Sequence, residues 1–239
     1  SEKEKKDLRQ FQRGVFAKVS VPRGKSLTEE DVFFSFPNCE GQLLANDWSK
    51  YQKFVLNGPL GKNSAVMVND LEIEYSRSKV YQICQDVNEL FSKAGVVYPG
   101  GVELEISHHY GIDRYYETGI AMITIVNRDY CKKLIAVLPG QQHPEQFHKR
   151  KEETFQVLYG VLEIEVEGRR RTLYPGAIQL IQQGVWHEFW TETGAIVEEI
   201  STTHFNNDSF YADKVINKTD RMKRKTIVNN WGRYQIQKA

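Results

Sequence analysis

Gly140-Gln141-Gln142-His143-Pro144-Glu145-Gln146-Phe147-His148-Lys149-Arg150-Lys151-Glu152-Glu153, closed by Gly160, is the stretch on which the fold reading turns. Gln146 and His148 are two apart, so on a strand both side chains face the same way. Glu153 lies five further on, an odd offset that reverses the face. It converges with His148 only through a bend or bulge at Lys149-Arg150-Lys151, or through a hairpin that starts there. Farther on, Pro175-Gly176 makes a turn, and Gly184-Val185-Trp186-His187 brings another imidazole onto a strand. If these two stretches fold against each other, His148, Glu153, His187 and Gln146 point into one cavity. Two imidazoles, a carboxylate and an amide oxygen suit a borderline divalent metal such as Mn, Fe, Ni or Zn, and ligand type does not choose among them.

The surrounding sequence supports a β structure. Val102, Leu104 and Ile106 alternate with Glu103, Glu105 and Ser107, and Leu162, Ile164 and Val166 alternate with Glu163, Glu165 and Glu167. Ile120 to Val126 is a buried run. With Leu134–Leu138, Ala177–Ile181 and Ala195–Ile200, roughly nine short strands read as an antiparallel sandwich or barrel. Before them, Val80, Ile83, Cys84, Val87, Leu90 and Phe91 fall on one face of a helix over Ser78–Ala94, which Gly95 stops. Earlier still, Arg13–Val21 and Leu60–Val68 read as strands. Thr28 with Asp31 resembles a helix N-cap, and Asn46–Leu56 reads as a short helix carrying Trp48, Tyr51 and Phe54. The resulting division is a linker at 1–10, a small β-rich domain at 11–74, a connecting helix at 75–98, a barrel at 99–213 and a basic tail at 214–239. The tail reads as a solvated helix or arm, or alternatively as a phosphate or polyanion contact.

The chain has 239 residues, with 32 Lys+Arg against 31 Asp+Glu. That balance argues against nucleic-acid binding by bulk charge. No apolar run reaches the ~20 residues of a membrane span. Cys39, Cys84 and Cys131 are odd in number and far apart, which fits a reducing, cytoplasmic location rather than a disulfide frame. The charged opening, Ser1 to Arg9, reads as a linker with another segment ahead of it. His108-His109 reads as a loop or cavity entrance. His204 reads either as part of the cavity mouth or as a turn cap.

Gly140, Gln146-Phe147-His148, Glu153 and Gly160 match the spacing of the first motif of the cupin superfamily, with Gln146 in place of its first histidine. Gln182-Gln183-Gly184-Val185-Trp186-His187 is similar to its second motif, with Gln182 for proline. The resemblance implies a jelly-roll barrel and assigns Gln146, His148, Glu153 and His187 to a metal. Within the superfamily, His148–Glu153 and His187-Glu188-Phe189-Trp190 look like the D-lyxose isomerase type, a metal-dependent aldose–ketose isomerase. That likeness makes Lys151 and Glu199 candidate proton-transfer groups, and Lys149, Arg150 and His204 candidate sugar contacts. Taken residue by residue, Lys149–Lys151 also reads as a solvated loop, and Glu198-Glu199 as an exposed strand end.

Arg13-Gly14-Val15-Phe16-Ala17-Lys18, Val21-Pro22-Arg23-Gly24-Lys25 and Leu27-Thr28-Glu29-Glu30-Asp31-Val32 resemble the SAF (antifreeze-like, β-clip-like) domain of sialic acid synthases. In that family the domain follows a catalytic barrel and caps the active site of a dimer partner. It delivers an arginine from an Arg-Pro-Gly turn, where this chain has Phe36-Pro37-Asn38. Together the resemblances imply a mainly β chain, a SAF domain followed by an antiparallel cupin barrel with a connecting amphipathic helix. They imply the C-terminal portion of a sialic-acid-synthase-like protein, homodimeric, with an upstream synthase barrel and a metal-dependent module for a sugar or amino sugar. The alternatives are a free-standing sugar isomerase and a non-catalytic binding or dimerisation module.

Overall fold

The computed structural model describes residues 8–49 and 52–231. The chain divides into two compact units, Ser1–Lys79 and Val80–Ala239. Most of the expected linker (residues 1–7) and the end of the expected tail (232–239) lie outside the described residues.

The first unit holds two antiparallel pairs, β1 (Gly14–Ala17) with β2 (Val32–Ser35) and β3 (Gln52–Leu56) with β4 (Leu71–Tyr75). Val15, Ala17, Val21, Leu27, Phe54, Leu56 and Val66 form its core, with Trp48 stacked on Phe54. Three expectations change here. Thr28 starts a turn rather than a helix: its N–H and hydroxyl both donate to the Asp31 carboxylate, so the capping pattern is satisfied with no helical turn behind it. The 46–56 segment is one 3-10 turn, Ala45–Asp47, followed by strand β3, which carries Phe54. The 60–68 segment makes only isolated bridges, and the strand comes later, at β4.

The helix Ser76–Ala94 begins at the end of the first unit, and its later turns belong to the second. The second unit is two antiparallel sheets. One has five strands, in the order β11 (Arg169–Leu173), β10 (Leu162–Val166), β13 (His187–Trp190), β8 (Gln142–His148) and β15 (Ser209–Tyr211). The other has seven, β12 (Ile178–Ile181), β9 (Glu153–Gly160), β14 (Ala195–Thr202), β7 (Tyr130–Val137), β6 (Ile120–Asn127), β5 (Leu104–Ser107) and β16 (Lys225–Val228). Twelve strands among the described residues thus replace the nine expected.

The seven-stranded sheet is covered on both faces, which explains why Lys133–Val137 is buried without interruption. Leu134, Ala136, Ile123 and Ile196 pack outward against Ile83, Val87, Leu90 and Phe91 of the helix, so this "connecting" helix is part of the second unit's core. Ile135, Val137, Val157, Ala195 and Val197 point inward, against Leu162, Ile164 and Phe189 of the other sheet. The same inward rows continue as Lys133, Glu153, Glu199 and Ser201. The space between the sheets therefore runs from apolar at one end to ionic at the other.

The described part of the tail is a solvated helix only at Lys214–Lys218, where both lysines are exposed. Lys225–Val228 pairs with β5 as the edge strand β16, and Trp231 is buried, stacked on Tyr98. His108 and His109 are also buried rather than placed at an entrance. Among the described residues, no helix is long and apolar enough to cross a membrane.

Gly160, the last residue of β9, has φ +74°, and a Cβ there would run into the carbonyl oxygen of Gly194. A positive φ and a backbone clash each cost on the order of 1–3 kcal/mol in a non-glycine residue. Gly160→Ala is expected to destabilise the chain by about 3 kcal/mol or more, measured by chemical denaturation followed by far-UV circular dichroism.

Candidate metal centre

Strands β8 and β13 are neighbours, with His187 opposite Gln146. Their pairing slips between His187 and Phe189, whose partners on β8 are Gln146 and His143. Two residues on one strand thus span three on the other, a bulge that turns both His143 and Gln146 inward despite their odd spacing. His148 ends β8 and faces inward as well. Glu153 comes from the opposite sheet, at the start of β9.

The backbone between His148 and Glu153 makes the required bend around one buried acid. The Asp208 carboxylate accepts hydrogen bonds from the backbone N–H groups of Lys149 (3.2 Å), Arg150 (3.1 Å) and Lys151 (2.9 Å). Three successive amides converging on one anion form a nest. The bend reverses parity, and Glu153 enters the cavity on the side of His148.

The ligating atoms of His148, Glu153 and His187 all lie within 4.8 Å of one another, and all three residues are buried. His187 Nε2 is 3.0 Å and His148 Nε2 3.5 Å from Glu153 Oε1. His148 Nδ1 lies 2.8 Å from the Asp208 carbonyl oxygen, and His187 Nδ1 lies 3.1 Å from the Val185 carbonyl oxygen. A carbonyl only accepts, so each Nδ1 carries the proton and each Nε2 presents a lone pair to the cavity. His148 Nε2 and Glu153 Oε1 make no hydrogen bond although buried. Buried polar atoms left this way are rare. Lone pairs from two imidazoles and a carboxylate, converged and otherwise unused, fit a divalent transition metal. The Gln146 amide nitrogen stands 3.5 Å from His187 Nε2, so this amide borders the same point.

Ionic groups surround the centre. Lys151 pairs with Glu153 Oε2 and reaches Glu199 Oε1 at 2.9 Å. Lys133 lies 3.2 Å from the same Glu199 oxygen, and Ser201 donates to it at 3.0 Å. These four charged side chains are at most 4% exposed. Burial opposes charge on Glu153, yet the Lys151 ammonium beside it outweighs burial and holds the carboxyl well below its ordinary range. Burial likewise works against Glu199, and Lys133 and Lys151 bring it down to about 2. Burial disfavours the Lys151 ammonium, but Glu153 and Glu199 raise it above its ordinary value. His204, 3.2 Å from Lys133, is pushed down to about 3 by burial and by both lysines, so it is neutral near pH 7.

A hollow lies in front of the centre. Its polar wall includes Gln146, Lys133, Lys151, Glu199 and His204, and its apolar wall includes Ile120, Met122, Ile135 and Phe155. His204 thus lines the cavity rather than merely capping a turn. Lys151 and Glu199 line it too, which corrects the solvated-loop and exposed-strand readings for both. Lys149 and Arg150 do not line it: both are exposed, lying over the rings of Phe210 and Phe205. The bend that turns Glu153 inward points these two basic side chains outward.

Three residues escaped the sequence reading. Lys133 lies in a stretch where lysine ordinarily marks an exposed position. His143 is brought inward only by the bulge. Asp208 works through backbone atoms far away in sequence. Removing the Asp208 carboxylate strands three amides and loosens the carrier of Glu153. Asp208→Ala is expected to weaken Mn²⁺ binding by roughly 10–100-fold in calorimetric titration, with Asp208→Asn retaining part of the affinity.

Residues 133–201 match the cupin domain family. That segment holds Lys133, Gln146, His148, Lys151, Glu153, His187 and Glu199. No curated protein matches the chain. Among solved structures, the chain is similar to one described as "putative spore coat polysaccharide biosynthesis protein E" from Chromobacterium violaceum ATCC 12472. That match is 47% identical with a TM-score of 0.30, and it covers 30% of this chain and 21% of that one. KdgF from Halomonas sp. is 20% identical over 37% of this chain and 82% of its own, with a TM-score of 0.35. L-ribose isomerase from Cellulomonas parahominis, solved with L-psicose, is 16% identical over 59% of this chain and 94% of its own, with a TM-score of 0.49. The second unit is a mainly β, antiparallel structure with a segment that matches the cupin domain family, and its candidate metal ligands lie inside that segment.

Proposed function

We propose that the second unit is a divalent-metal, sugar-binding cupin. We propose further that the chain is the C-terminal SAF–cupin portion of a sialic-acid-synthase-like protein, its first unit capping a catalytic barrel. One observation carries the first part: His148 Nε2, Glu153 Oε1 and His187 Nε2 converge, buried, with both imidazole tautomers set by backbone carbonyls. His148, Glu153 and His187, with Gln146, would hold the metal. When bound, a divalent ion supplies Lewis acidity toward sugar oxygens.

The chain's own residues account for the rest of the recognition. Lys151 occupies Glu153 Oε2 and leaves Oε1 facing the centre. Lys133, Lys151 and neutral His204, whose Nδ1 accepts from Lys133, offer N–H donors, while Glu199 offers acceptors to hydroxyl groups. Phe155, Ile120 and Met122 supply apolar surface for the C–H face of a sugar ring. A lining that mixes ionic groups with hydrocarbon suits the hydroxyl and C–H faces of a sugar. The Arg13–Val32 pattern supports the SAF assignment of the first unit.

Aldose–ketose isomerisation is a second reading, favoured by Glu199, Lys151 and His204 standing around one hollow. In that reading Lys151 and Glu199 are the proton-transfer pair.

The purified full chain is expected to carry about one equivalent of a divalent transition metal, and His187→Ala is expected to lose it, as read by elemental analysis. A metal-free chain that takes up no Mn²⁺ in titration would remove the proposal. In ¹H NMR, the Mn²⁺-loaded chain is expected to interconvert an aldose and its ketose if the second reading holds, with Glu199→Gln slower by about 100-fold or more. Ligand binding without turnover on any pentose, hexose or N-acylhexosamine leaves the binding reading alone.

A further inference from the structure

The inner hollow is lined by three ammonium groups, Lys133, Lys151 and Lys225, and two carboxylates, Glu153 and Glu199. A second hollow adjoins it and shares Met122, Lys133 and His204 with it. From that side Glu105 engages Lys225. Three cations then face three carboxylates, and the charges cancel. Arg221, which borders the second hollow, also pairs with Glu105, and Glu103 on the same border keeps the number of charges even.

A divalent ion at the candidate centre changes this balance. Lys151 already takes Glu153 Oε2, and it shares Glu199 with Lys133. Among the described residues that line the inner hollow, no further carboxylate remains to offset the two added charges. An uncompensated double charge among buried groups is costly, so a ligand that brings negative charge is favoured over a neutral one.

Lys133 is the group placed to receive that charge. Its Nζ lies 3.2 and 3.4 Å from the two Glu199 oxygens and 3.2 Å from His204 Nδ1. These contacts sit at or beyond the long end of ordinary N–H···O hydrogen bonds. Lys151 is held more closely, at 2.9 Å from Glu199 and nearer still to Glu153. Lys133 also borders both hollows, so a ligand passing from the outer to the inner one meets it on the way.

We propose that the ligand of this cavity is an anionic sugar, bearing a carboxylate or a phosphate. Lys133 holds its anionic group, and its hydroxyls face the His148–Glu153–His187 centre. This rests on the metal-binding reading of the same hollow.

Calorimetric titration of the full chain tests it, with Mn²⁺ in excess and with glucose, galactose and mannose each compared with its uronate and its 6-phosphate. At least one acidic sugar is expected to bind about tenfold or more tightly than its neutral parent, as one added charge-assisted contact predicts. A uronate preference identifies the carboxylate as the anion, and a 6-phosphate preference the phosphate. Lys133→Gln, with folding checked by circular dichroism, is expected to lose the preference; a folded variant that keeps it overturns the role of Lys133. Equal binding of acidic and neutral sugars, or no binding of any acidic sugar to the Mn²⁺-loaded chain, overturns the proposal while the metal reading stands. A parallel titration with Mn²⁺ alone that shows no uptake overturns both, so the two failures are distinguishable.

Discussion

The second unit is organised around a difficulty of electrostatics: Glu153 and Glu199 are ionised where almost no water reaches them. Two ammonium groups resolve it. Lys151 bridges the two acids, and Lys133 meets Glu199 directly across the β7–β14 ladder, where the two residues are register partners. Removing one member of such a set costs on the order of 3–5 kcal/mol, because the remaining charges are left unpaired. Replacing the whole set by well-packed apolar side chains is often neutral. The network is therefore poor evidence of stability and better evidence of a site: the neighbouring rows of Ile135, Val137, Val157 and Val197 show that the same sheets can close with hydrocarbon alone.

Strand parity is the second constraint. Side chains alternate along a strand, so residues at odd offsets separate unless the backbone is reset. The chain resets it twice within one stretch. The bulge in β8 aligns His143 with Gln146, and the Asp208 nest aligns Glu153 with His148. Asp208 takes part twice, since its carboxylate gathers the bend and its carbonyl oxygen accepts from His148 Nδ1. One residue thus governs both the position of the carboxylate and the tautomer of an imidazole.

These features explain what could be read from the residues alone. The spacing of His148, Glu153, Gly160 and His187 made the convergence of these side chains legible, and the conclusion that Glu153 needs a bend at Lys149–Lys151 follows from parity. The apolar stripe from Ile83 to Phe91 made the long helix legible. Lys133 and Asp208 were not legible, because their roles depend on partners 66 and 57 or more residues away and run against the ordinary exposure of charged side chains. In the first unit, Thr28 with Asp31 satisfies a capping pattern that serves a turn as well as a helix. The basic residues after Lys214 resembled a solvated arm, yet Thr226 and Trp231 among them are buried, and the chain returns to the edge of the sheet.

The candidate ligands are distributed unevenly between the two layers. Gln146, His148 and His187 belong to the five-stranded sheet, and Glu153 to the seven-stranded one. An ion shared among them would act as a rivet through the sandwich. Occupancy and mechanical stiffness would then be one property rather than two, and the ionic end of the interior, which lacks the hydrocarbon grip of the other end, would gain most from being pinned.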